Sequence, residues 1–304
     1  MTATVTLEGV VKRYGPVEAV RGVTFTLPAG EIVALVGHNG AGKTTLLKLM
    51  LGLIRPTSGD VRVLDENPSA GEFAARKRLG YLPENVAFNA SLTGREVLAF
   101  YARLKRQPVS GIASLLDRVG LSGASGRRIG TYSKGMRQRL GLAQALLGAP
   151  RILLLDEPTT GLDPALRLTF YEIVRELRDQ GATVVLCSHA LTELEERAER
   201  VIIMNRGLMV ANGTLDELRH LTQLPTRIRL HLAAKPTALP DWLRSMNYRR
   251  FNGHVVELDA SPGKKMELLR WAAASADTVD DIDVVPPTLD ELYVHFLRSQ
   301  EAAP

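Results

Sequence analysis

The stretch Gly37-His38-Asn39-Gly40-Ala41-Gly42-Lys43-Thr44 has the spacing G-x-x-x-x-G-K-[ST]. Residue types in this order suit the cradling of a phosphate chain. Glycines let the backbone turn tightly enough for several N–H groups to converge on phosphate oxygens. A helix that starts at the loop adds its positive N-terminal end. Lys43 supplies a cation for the β- and γ-phosphates, and the Thr44 hydroxyl is a ligand for Mg2+. Glu31 to Val36 before the loop reads as a buried strand, and Thr45 to Met50 after it reads as a helix start. A nucleoside triphosphate with Mg2+ is the expected ligand. His38, Asn39, Gly40, Ala41 and Thr45 belong to the same binding set.

A second apolar run, Ile152-Leu153-Leu154-Leu155, ends in Asp156-Glu157. Carboxylates at the exit of a wholly apolar strand contribute nothing to packing. Near a phosphate loop, Asp156 can hold Mg2+ through water. Glu157 is then placed to polarise an attacking water. A third run, Leu186-Cys187-Ser188-His189, closes on a histidine. Taken alone, His189 is open between a structural residue and a γ-phosphate contact beside the nucleotide crevice of a doubly wound sheet.

Those residues need a scaffold. Residues 5 to 36 read as short strands with turns at Tyr14-Gly15-Pro16 and Pro28-Ala29-Gly30. Val61 to Leu64, Leu79 to Leu82, Ile152 to Leu155 and Ala182 to Leu186 read as further strands. Thr93 to Leu147 and Ala165 to Asp179 are helical in period. Continuous apolar strands alternating with helices predict an α/β fold with a mostly parallel, helix-covered sheet. After about Arg219 the pattern changes to a small α+β appendage. Its strands are expected at Thr226 to Leu232 and Val255 to Leu258, and its helices at Asp241 to Met246, Lys264 to Ala274 and Thr288 to Ser299.

Composition agrees with such a protein. A chain of 304 residues carries a prior of about two domains. Apolar content of 45% supports a large core. No run approaches the roughly 18 uncharged apolar residues that span a bilayer, and Met1 to Thr6 has no leader pattern. The single cysteine, Cys187, excludes an internal disulfide and reads as a core residue. Net charge is +5, but basic and acidic residues alternate along helices, so the charge reads as solvated faces.

Thr131-Tyr132-Ser133-Lys134-Gly135-Met136-Arg137-Gln138-Arg139-Leu140 resembles the signature of the ATP-binding cassette ATPases. The Lys43 loop, the Asp156-Glu157 strand end, Gly161-Leu162-Asp163-Pro164 and His189 follow that family's order. The resemblance covers about residues 5 to 220. It implies the P-loop cassette fold, with N-terminal antiparallel strands and a helical subdomain at about 85–147. It also implies a nucleotide-binding domain over 1–220 and an accessory domain over 221–304.

The same resemblance implies ATP hydrolysis in a homodimer. Each ATP would lie between the loop of one chain and Ser133 and Gly135 of the other. Tyr14 is implied to stack on adenine, His189 to contact the γ-phosphate, and Asp163 to communicate across the dimer. Glu84 falls where the family usually has glutamine and is implied to touch Mg2+ or water. Lys134 and Met136 depart from the common Leu-Ser-Gly-Gly-Gln signature, as in the exporter branch.

An integral membrane permease is the implied partner, on the inner face of the cell membrane, with no nucleic acid. Within the family the signature and the tail Pro287-Thr288-Leu289-Asp290-Glu291-Leu292-Tyr293 resemble the NosF type. That is the ATPase of the NosDFY system that serves copper-site maturation of nitrous oxide reductase, with a periplasmic accessory protein as a further partner. The alternatives are another exporter ATPase, for a drug, lipid or polysaccharide, and a non-transport cassette ATPase acting on ribosomes or DNA.

Overall fold

A computed structural model describes residues 3–70, 73–233 and 239–302. Met1 and Thr2, part of the stretch read for a leader, lie outside the described residues. The chain divides into two units, Met1–Thr214 and Leu215–Pro304.

The first unit begins with β1 (Ala3–Tyr14), β2 (Val17–Pro28), β3 (Ile32–Val36) and α1 (Lys43–Met50). Next come β4 (Ser58–Val63), α2 (Phe73–Lys77), β5 (Leu79–Leu82), α3 (Gly94–Leu104) and α4 (Ile112–Arg118). Then follow α5 (Lys134–Leu146), β6 (Ile152–Asp156), α6 (Pro164–Asp179) and β7 (Thr183–Cys187). The unit closes with α7 (Leu191–Glu195), β8 (Arg200–Asn205) and β9 (Leu208–Gly213).

A six-stranded sheet runs in the order β5-β6-β7-β3-β8-β9. Its pairs are parallel except β8 with β9. Strands β3, β6 and β7 are buried at every position, which is why they read as unbroken apolar runs rather than alternating ones. An antiparallel sheet, β2-β1-β4, lies alongside. Helix α1 shares one core with both: Leu46, Leu47 and Met50 cluster with Leu7 and Val23 of the antiparallel strands and with Leu35 and Leu154 of the parallel ones. This is the mixed α/β cassette architecture expected from the sequence.

Because β3, β6 and β7 are parallel neighbours, their carboxyl ends lie on one edge. Asp156 pairs in register with Cys187, which carries the residues after β6 and β7 to the same place. Ligands of open α/β sheets bind at that edge.

The stretch 93–147 is three α-helices rather than one continuous pattern. Short 3-10 turns at Val109–Gly111, Ser122–Ala124 and Ile129–Thr131 join them. Pro108 and the glycines at 111, 120, 123 and 126 explain the breaks. Thr93 opens α3 with a capping box to Glu96. Helix α5 packs tightly on the end of β5: a Cβ placed on Gly141 would stand 2.7 Å from Leu82 Cδ1.

The second unit holds α8 (Leu215–Thr222), β10 (Thr226–Leu232), α9 (Asp241–Arg244), β11 (Tyr248–Arg250) and β12 (Val255–Ala260). It ends with α10 (Lys265–Ala273), β13 (Val279–Val285) and α11 (Leu289–Ala302). Its antiparallel sheet runs β11-β12-β10-β13 over a core of Ile228, Leu230, Val256, Leu258 and Leu268. Helix α8, which straddles the division expected at 220/221, belongs with this unit. Strand β13 was not legible, because Asp280, Asp281 and Asp283 break its apolar pattern; charges of this kind are common on an edge strand. No helix among the described residues is long and apolar enough to cross a membrane.

Candidate functional site

The phosphate loop runs from the end of β3 into α1. Gly42 is the N-cap of α1 at φ 105°, a left-handed conformation that favours glycine. A Cβ there would also stand 2.6 Å from the Ala19 carbonyl of β2. The loop is braced on its far side by the turn between β8 and β9: Gly207 N–H donates to Ala41 O at 3.1 Å, and Arg21 N–H donates to Gly207 O at 2.8 Å. A close scaffold therefore holds the loop on two sides.

Lys43 is buried, with 7% of its surface exposed. Its Nζ donates to the carbonyls of Gly37 and His38. Thr44 Oγ1 donates to Asp156 Oδ2 at 3.2 Å. His38 bridges Asn39 O at 2.6 Å and Asn205 Oδ1 at 2.7 Å. A cleft of about 540 Å³ opens over Tyr14, His38, Asn39, Gly40 and Lys43, and Ala41, Gly42, Thr44 and Thr45 also line it. Tyr14 is 46% exposed at its mouth, and Lys12 Nζ lies 5.0 Å from its ring centre. Glu18, Arg21 and Arg206 also line the cleft. They were missed because their charges sit in strand and turn contexts that carry no motif.

The carboxylates sit beside the loop. Asp156 is buried, and burial pushes its carboxyl above the usual range. Glu84 raises it further, while the Thr44 hydroxyl and the Lys43 charge pull it down. Glu84 itself is exposed. Glu157 has φ 49°, a left-handed conformation that L side chains seldom adopt. Its backbone N–H donates to Cys187 O at 2.8 Å. Its Oε1 is buried without a hydrogen-bond partner and stands 3.4 Å from His189 Nε2. Burial raises the Glu157 carboxyl, and His189 is the largest influence opposing that rise.

These residues fit a triphosphate and a hard divalent cation. The loop offers backbone N–H groups and one ammonium to phosphate oxygens. Thr44 and Asp156 offer the oxygen donors that Mg2+ prefers, with its remaining positions left to water and phosphate. Among the described residues no cluster of three His, Cys, Asp or Glu could hold a metal alone. Such a set suits an ion that arrives with its nucleotide.

Ser133, Gly135 and Asp163 do not line the cleft. Ser133 caps α5, accepting from Met136 N–H at 3.2 Å. Asp163 caps α6, accepting from Leu166 N–H at 2.9 Å. Both are exposed. Gly135 passes close to the loop before α6: a Cβ on it would stand 3.0 Å from Gly161 O. One chain thus carries a phosphate loop with flanking carboxylates in one place and a separate, outward-facing helix N-terminus in another.

The family model described as "ABC transporter" matches residues 20–160. The chain is 33% identical to "Daunorubicin resistance ATP-binding protein DrrA3" of Streptomyces coeruleorubidus, over 98% of each chain. It is 42% identical to "Uncharacterized ABC transporter ATP-binding protein YxlF" of Bacillus subtilis, over 71% of this chain and 73% of the relative. A solved structure titled "Structure of ATP binding subunit of ABC transporter" superposes with a TM-score of 0.68 at 29% identity, over 72% of this chain and 92% of the other.

Proposed function

This chain belongs to the ATP-binding proteins of ABC transporters, and from that membership we propose that it hydrolyses ATP to drive an exporter through a membrane permease. The observation that carries the site assignment is the meeting of Lys43, Thr44 and Asp156 at one sheet edge, with Glu157 beside His189.

In this reading the loop amides and Lys43 bind the β- and γ-phosphates, and Tyr14 stacks on adenine. Thr44 and Asp156 hold Mg2+, which offsets charge on the phosphate oxygens. Glu157 accepts the proton of the attacking water. Burial suits it to that task, because a raised carboxyl is a stronger base than an exposed one. His189 keeps the carboxylate oriented and donates toward the γ-phosphate. Glu84 stands where it can sense the ion through water.

The outward-facing Ser133 and Gly135 complete the site of a second copy, and Asp163 lies beside that junction. A two-fold dimer satisfies both halves at once, since each chain offers its loop to the other's helix N-terminus. Mixing decides this part. A Lys43→Ala chain and a Ser133→Arg chain, each inactive alone, should recover one intact site in each mixed dimer, and mixed dimers are about half of those in an equimolar mixture. No recovery would count against the shared site.

The drug-resistance name of the relative that matches 98% of this chain favours export of a drug. The narrower NosF-type reading, with copper-site maturation and a periplasmic accessory protein, has only the motif and tail resemblance behind it. Affinity purification of the Glu157→Gln chain from its native membranes with Mg-ATP separates the two. A lone polytopic permease supports the exporter. A permease with a periplasmic repeat protein supports the Nos-type system. Ribosomes or DNA-repair proteins without a permease would overturn both.

A further inference from the structure

Gln138 lies on α5, the helix capped by Ser133, and is 3% exposed. A buried amide needs partners, and this one finds them outside its own helix. Nε2 donates to Pro158 O at 3.2 Å and approaches Glu157 O at 3.5 Å. Those carbonyls flank the left-handed turn at Glu157, φ 49°. The turn has few other ties: Glu157 N–H reaches Cys187 O, and Thr160 N–H reaches Glu157 O at 3.3 Å. A strained backbone persists only where its surroundings hold it.

We propose that Gln138 is a positioning residue for hydrolysis, its amide fastening the Glu157-Pro158 backbone in the turn that aims the Glu157 carboxylate at His189 and the attacking water. The proposal rests on the reading of Glu157 as the base. It adds a link inside one chain: the helix that presents Ser133 to a second copy is hydrogen-bonded to the loop that carries the base. A shift of α5 on docking is then felt at Glu157 through one side chain. Nucleotide binding at Lys43 and Tyr14 lies outside this link.

The test uses the full-length chain and Mg-ATP, with Gln138→Leu, Gln138→Glu and Glu157→Gln made in parallel. Leucine keeps the volume and removes the donor. It should lower kcat by about tenfold or more, the range for a lost hydrogen bond to a buried carbonyl, while KM for ATP stays within about twofold. The backbone amides of Glu157 and of residues 159–163 should exchange faster with deuterium.

Glutamate keeps the shape but donates only when protonated. Its kcat relative to Gln138→Leu should rise as pH falls, because ionisation turns the donor into an acceptor facing two carbonyls. A parallel rise of KM in Gln138→Leu, unchanged exchange at the amides of 157 and 159–163, or a Glu-to-Leu ratio independent of pH would each overturn the positioning role. If Glu157→Gln hydrolyses ATP at the parent rate, the reading of Glu157 as the base fails instead. The exchange data then still report whether Gln138 holds the turn.

Discussion

The Thr44 hydroxyl donates to the Asp156 carboxylate at 3.2 Å across 112 residues of sequence. This contact joins the end of one parallel strand to the loop that follows another. Strand β7 lies between those two strands in the sheet, so both groups must lean over the same edge to meet. There they form the oxygen pair suited to Mg2+.

Lys43→Ala removes the only ammonium within the loop. Mg-ATP affinity should fall by roughly 100-fold, as expected for charge-assisted hydrogen bonds lost from a buried site. Titration with a fluorescent ATP analogue checks this. Parent-like affinity would disprove the loop assignment.

Glu157→Gln should keep ATP binding and lower hydrolysis by about 10² to 10⁴, the usual contribution of a general base. It should also raise thermal stability at pH 7. The sign follows from linkage: the folded carboxyl lies above its ordinary 4.5, so its contribution to stability is full below that pH and is lost as pH rises through the folded value. The gain from glutamine should therefore shrink as pH falls toward 4.5. Melting curves across pH for both proteins decide it, and a gain that does not vary with pH would contradict the burial of this charge.

Tyr14→Ala should weaken ATP by about 1–3 kcal/mol if the ring stacks on the base. Tyr14→Phe should bind as the parent does, because stacking needs the ring and not the hydroxyl. Unchanged affinity in Tyr14→Ala, measured by calorimetry, would move adenine elsewhere.

Lys105 closes the gap between α3, β5 and the end of α5. Its Nζ donates to Leu79 O and Leu147 O, each at 3.0 Å. Burial lowers its ammonium to about 8. The unfolded chain then holds the proton more tightly between about pH 8 and the ordinary 10.5, so folding gains from this residue as pH rises through that window. The stability of the parent relative to Lys105→Met should increase from pH 8 to 10.5, by an amount on the order of 3 kcal/mol. Denaturant titrations at several pH values check it. A flat difference would mean that the ammonium is solvated.

Much of the candidate site is legible in the sequence. The phosphate loop, the Asp156-Glu157 strand end and the signature run announce themselves by residue type and spacing, because a phosphate chain accepts few backbone geometries. The buried strands were legible too, since parallel strands covered on both faces must be apolar at every position. The edge strand β13 was not, because its aspartates break the apolar pattern; the edge strand β9 was not either, because it is only half-buried and its pattern is weak. The division of 93–147 into three helices depended on turns whose glycines and proline only gained meaning once neighbours were known.

Local chemistry along the chain thus determined which groups are candidates to bind phosphate, metal and water. Their meeting was a tertiary matter. Asp156 reaches Thr44, and Glu157 reaches His189, only because β6, β7 and β3 lie side by side and parallel. The tie from Gln138 to the Glu157-Pro158 turn has no signature in spacing at all. It exists because Gly141 lets α5 settle on β5, and a buried amide there must find a carbonyl.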